Sequence, residues 1–156
     1  MYLVPKKYFV TSGCAISMVS DLNAFDKALM EAEIGEQNLV SVSSVIPIGA
    51  KQVPIRGLPM GAVTHCVLAQ MRGGEGEMIS AGIAYGHRSD GKGGYVAEGH
   101  LHGTKKALKE VLAWKMEEMA KLREIDFKKV FYKIEEVSIP MDHYGACMAA
   151  LVFVEY

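Results

Sequence analysis

The sequence is short of the residues that mark specialised classes. Cysteine occurs only at positions 14, 66 and 147, an odd number with no paired spacing. That pattern makes neither a closed disulfide framework nor a recognised metal-ligand set. The three thiols are read as small buried apolar residues in a reducing compartment. Neither charge sign dominates: 17 Lys+Arg against 18 Asp+Glu leave a formal net charge of −1. Such a balance leaves no electrostatic footprint for nucleic acid or an anionic membrane. No apolar stretch approaches the roughly 20 residues of a membrane-spanning helix. Residues 1–11 hold Lys6 and Lys7 but no apolar core followed by a cleavage site, so no signal peptide is expected. The expectation is a soluble, cytoplasmic protein. With no linker or low-complexity segment, and half of the residues hydrophobic, residues 1–156 are expected to form one domain.

What is present is an alternation of strand and helix signals. Tyr8–Thr11 reads as a strand stopped by a turn at Ser12-Gly13. Leu22, Phe25, Ala28, Leu29 and Ala32 follow helical spacing, with Asp21 or Asn23 as N-cap and Gly35 as the stop. Asn38–Ile46 reads as one strand ended by Pro47 and Gly49. Ala62–Met71 and Met78–His87 read as strands joined in a hairpin through Arg72-Gly73-Gly74-Glu75-Gly76, and Tyr95–Glu98 as a short strand. Thr104 caps a helix to Arg123 whose apolar face holds Leu108, Val111, Leu112, Met119 and Leu122. Strands over about Val130–Ile139 and Ala146–Val154 complete the chain; the second is apolar on both faces, which places it centrally in a sheet. Two helices with six or seven mostly adjacent strands describe an α+β fold with helices on the outer sheet faces.

Most local motifs carry little chemistry. The glycine loops 73–76 and 91–94 lack phosphate-loop spacing and no helix opens directly after them. His100 and His102 alternate without a third ligand at a recognised spacing, so no metal site is expected. His65 and Cys66 are adjacent on a strand and point to opposite faces, so they cannot pair as base and nucleophile. Ser43-Ser44, near the end of an apolar strand, is unremarkable by itself.

Several segments together are informative. Leu22-Asn23-Ala24-Phe25-Asp26, Gly35, Asn38-Leu39 and Val42-Ser43-Ser44-Val45-Ile46-Pro47 occur in that order. Leu58-Pro59-Met60-Gly61-Ala62, Gly76-Glu77-Met78-Ile79-Ser80-Ala81, and Glu98 shortly before Lys105-Lys106 continue the series. This collinear set resembles the pyruvoyl-dependent arginine decarboxylases. The resemblance implies an αββα sandwich assembled as a trimer with active sites between subunits, and a precursor that breaks its Ser43–Ser44 bond. The products would be a β chain of residues 1–43 and an α chain of residues 44–156, with Ser44 converted to an N-terminal pyruvoyl group, a covalent cofactor.

The resemblance also implies roles for individual residues. Asn38 polarises the Ser43 carbonyl during cleavage; without the resemblance it reads as a turn residue. Glu98 is the proton donor after decarboxylation and is expected to be partly desolvated; its ordinary alternative is a surface glutamate beside Gly99. Asp26 recognises the guanidinium of L-arginine, Leu29 lines the same wall one turn along, and Gly35, Gln37 and Ser43 adjoin the substrate. Gln37 departs from the family pattern, where an aliphatic residue is usual. The implied activity is conversion of arginine to agmatine for polyamine synthesis. Decarboxylation of histidine, ornithine or lysine is the nearest alternative, and a trimeric ligand-binding relative that never cleaves is the alternative outside enzymes.

Overall fold

A computed structural model describes residues Met1–Tyr156. The elements run β1 (Lys7–Ser17), α1 (Asp21–Glu31), β2 (Asn38–Ser41), β3 (Val45–Ile46), β4 (Lys51–Gln52), β5 (Val63–Gly73), β6 (Met78–Arg88), β7 (Gly94–Leu101), α2 (Lys105–Arg123), β8 (Phe127–Ser138) and β9 (Tyr144–Val154). One sheet has the order β2-β5-β9-β1-β4 and the other β3-β7-β6-β8. Pairing is antiparallel except for β1 with β4 and β2 with β5. No helix is long and apolar enough to cross a membrane.

Three apolar layers give the expected helix–sheet–sheet–helix sandwich. Between the sheets lie Tyr8, Val10, Val67, Ile79, Ile83 and Leu151, among others. Ala24, Ala28, Ala32 and Ile34 pack α1 and the turn after it onto the first sheet. Leu108, Leu112 and Met116 pack α2 onto the second. Strand β9 is central because both its faces are apolar: Cys147, Ala149 and Leu151 enter the inter-sheet core, while Met148, Ala150 and Val152 lie under α1.

Several expected boundaries change, each for a packing reason. Strand β1 does not turn at Gly13. It continues to Ser17, because a side chain at Gly13 would collide with the Ala28 carbonyl oxygen where α1 crosses. Ser20, not Asp21 or Asn23, caps α1, its hydroxyl accepting from the Asn23 N–H at 3.0 Å. The helix ends at Ala32, ahead of Gly35, with Glu33 in the left-handed region. Leu22 and Leu122, assigned to apolar stripes, are 61% and 77% exposed. Strands β5 and β6 form no hairpin; the glycine-rich turn carries the chain from one sheet to the other. The segment Asn38–Ile46 is likewise two strands on different sheets.

Candidate active site

The break within that segment places Ser43 and Ser44. Strand β2 lies at the edge of the first sheet beside β5, and the Val42 N–H extends the pairing by donating to the Cys66 carbonyl at 2.9 Å. Two residues later the chain belongs to the other sheet: the Ser44 carbonyl accepts from the Val96 N–H at 2.9 Å, and Val45 pairs with Tyr95. Ser43 and Ser44 therefore bridge the two sheets along one open edge of the sandwich, fastened on both sides. Ser43 is exposed and Ser44 half-buried. Scission here would leave β2 and β3 each held by its own sheet.

Glu98 shares this edge. Strand β3 covers β7 only at Gly94 and Tyr95, so β7 has a free edge beyond Val96. Glu98 lines a cavity of about 510 Å³ together with Ser43, Ser44, Lys115, Glu118 and Arg123. The expected partial desolvation of Glu98 is not seen in the single chain: its side chain is exposed, because nothing covers that free edge. Its backbone carbonyl, left without a strand partner, accepts from Lys115 Nζ at 2.8 Å. On the other side of the serines a cavity of about 270 Å³ is bordered by Val45, His65, Phe153 and Tyr156, with His65 hydrogen-bonded to the Tyr156 hydroxyl.

The remaining expected site residues stand apart from Ser44. Asp26 and Leu29 are carried by α1 on the outer face of the first sheet and border neither cavity. Gly35 contacts Met30, whose side chain fills the space a Cβ there would need. Gln37 acts as a staple: its Nε2 donates to the Leu58 and Pro59 carbonyls at 3.0 and 3.3 Å. Asn38 Nδ2 donates to the Gly61 carbonyl at 2.9 Å. These bonds fix the start of β2 against the 58–62 loop. Cys66 faces the α1 layer, and burial, with the Glu98 charge as a smaller cause, pushes its thiol up to about 11. It stays protonated near neutral pH and is no nucleophile.

Over residues 7–156 the sequence matches the family model described as pyruvoyl-dependent arginine decarboxylase. The chain belongs to this family. The pyruvoyl-dependent arginine decarboxylase of Methanothermobacter thermautotrophicus is 30% identical over 154 residues, covering 98% of this chain and 99% of the relative. That of Methanopyrus kandleri is 32% identical over 150 residues, covering 96% and 97%. A solved pyruvoyl-dependent histidine decarboxylase has a TM-score of 0.49 at 12% identity, covering 66% of this chain and 53% of its own.

In this member of the family, sequence reasoning missed the α2 wall of the Ser44 cavity. Lys115, Glu118, Leu122 and Arg123 line it. With Met119, which also lines it, the others stand three, four, seven and eight residues after Lys115, the spacing of one helix face. Leu122 is exposed there because it borders the cavity and not the core.

Proposed function

We propose that this chain is a self-processing decarboxylase that makes a pyruvoyl group from Ser44 and converts L-arginine to agmatine and carbon dioxide. The observation that carries it is the placement of Ser43–Ser44 as the bridge between two sheet edges, facing a cavity that contains Glu98. A peptide bond outside any strand, with both flanks tethered, can change geometry without unpairing either sheet.

Maturation needs no added cofactor: Ser43, Ser44, an amide donor and water suffice. Ser44 Oγ attacks the Ser43 carbonyl carbon, the C–N bond breaks, and the hydroxyl proton passes to the freed nitrogen, leaving an ester. Loss of the Ser44 α-proton and of the Ser43 carboxylate opens the ester to dehydroalanine. Water then releases ammonia and leaves a ketone at residue 44. Negative charge grows on the Ser43 oxygen in the first step, and an amide donor such as Asn38 suits it.

The pyruvoyl ketone supplies an electrophilic carbonyl and an electron sink, which loss of carbon dioxide from an α-amino acid requires. Glu98 holds the proton that replaces the carboxylate at the α-carbon. Asp26 and Leu29 receive the guanidinium, and Gly35, Gln37 and Ser43 adjoin the substrate. Within one chain Asp26 and Asn38 do not border the Ser44 cavity. That supports assembly as a trimer in which a neighbouring subunit brings these residues to Ser44 and covers the open edge at Glu98. Three free thiols suit a cytoplasmic enzyme feeding polyamine synthesis.

Intact mass spectrometry under denaturing conditions tests the core of this reading. Two polypeptides are expected, one ending at Ser43 and one beginning with a blocked residue 44, whereas Ser44→Ala stays whole and folded. A native chain that stays whole after prolonged incubation would refute it. Mixing Ser44→Ala with Asp26→Asn subunits tests the assembly: partial recovery of arginine turnover supports a shared site, and no recovery argues for a site within one chain.

A further inference from the structure

At the sandwich edge opposite Ser44, β4 and β1 of the first sheet face β6 and β8 of the second. Between them lies a cavity of about 540 Å³, a size that holds a small organic ligand. Its charge is of one sign. Lys51, Lys128 and Lys129 border it, no acidic residue does, and none of the three pairs with a carboxylate.

The inner wall is polar. Tyr8, 1% exposed in the inter-sheet core, shares a 2.7 Å hydrogen bond between its hydroxyl and His87 Nε2, and the two rings stack at 5.9 Å. Burial pushes Tyr8 up to about 12, and burial together with Lys128 holds His87 below its usual range. Near neutral pH both rings are therefore uncharged, and His87 Nδ1 has no hydrogen-bond partner within the chain. A buried phenol without a partner is costly, and His87 supplies the one Tyr8 has. On the side wall Tyr85 and Phe131 stack on one another at 5.5 Å and 25°, with Lys129 Nζ 5.1 Å from the centre of the Phe131 ring, so the pair turns ring edges to the cavity.

We propose that this cavity is a second binding site for a small phosphorylated molecule with a planar ring. The phosphate lies against the three lysines and His87 Nδ1, and the ring lies against the edges of Tyr85 and Phe131. Lysine acts as a point charge toward phosphate, and aromatic edges pack against the face of a flat ring without demanding a particular one.

Titration calorimetry of the mature protein with phenyl phosphate and with AMP tests this, using inorganic phosphate and adenosine as the halves of the ligand. At least one ring-bearing phosphate is expected to bind with a dissociation constant below about 1 mM, each half about tenfold more weakly or worse. The double variant Lys128→Glu/Lys129→Glu, on exposed positions, is expected to weaken binding at least about tenfold while arginine turnover persists. Absence of binding by both probes at about 10 mM overturns the proposal. So does binding unchanged in the double variant, or inorganic phosphate binding as well as phenyl phosphate. Binding lost in Arg123→Glu instead would put the anion at the Ser44 edge, and likewise overturns it.

Discussion

Gly13→Ala probes how closely α1 is seated on β1. An added Cβ meets the Ala28 carbonyl oxygen and comes within 3.2 Å of the Ala32 nitrogen, both backbone atoms that no rotamer change can move aside. The helix must shift outward, although the Thr11 hydroxyl ties it down through a 2.7 Å bond to the Ala32 carbonyl. Overpacking of this kind costs about 1–3 kcal/mol, offset by about 0.4–1 kcal/mol from the stiffer unfolded chain. At about 2–4 °C per kcal/mol for a domain of this size, melting falls by several degrees. Gly57→Ala is the control, since its Cβ meets nothing within 4 Å and only the offset remains. Both are measured by calorimetry in Ser44→Ala protein, so that each is a single uncleaved chain. In the self-processing background Gly13→Ala also displaces Asp26 and Leu29, so KM for arginine rises more than kcat falls, with cleavage unaffected. A melting temperature equal to that of the Gly57→Ala control would refute the tight β1–α1 contact.

Asn38→Ala is expected to lengthen self-cleavage by about a hundredfold, followed by gel time course; cleavage at the native rate would remove Asn38 from maturation. Glu98→Gln should cleave normally yet release agmatine about 10²–10⁴-fold more slowly, and near-native turnover would take Glu98 out of the reaction. Asp26→Asn should raise KM for arginine by about tenfold to a hundredfold, the worth of a charge-assisted pair, and an unchanged KM would show that the guanidinium lies elsewhere. Because the Cys66 thiol is pushed up to about 11, iodoacetamide at pH 8 should leave it unmodified in native protein. Modification at the rate of a free cysteine would contradict its burial.

Sequence by itself determined the fold class, the long α2 helix and its Thr104 cap, the central place of β9, and the family. Those features rest on local rules, namely apolar periodicity, side-chain capping, and the order of short segments along the chain. Tertiary structure alone decided that Asn38–Ile46 divides between two sheets. An extended apolar run reads the same whether its hydrogen bonds go to Cys66 of one sheet or Val96 of the other. For the same reason, the glycine turn at 73–76 looked like a hairpin when it is a crossing between layers. Gly13 looked like a stop when it is a place for α1 to sit, because a missing side chain serves both uses and only the partner distinguishes them. The site shows the same division. Ser43 and Ser44 stand out only through the resemblance, and neither their position on an open edge nor the α2 wall facing them could be read from the primary structure. The separation of Asp26 from Glu98 arises because α1, which carries Asp26, is buried on the outer face of the first sheet, while Glu98 lies on β7 of the second.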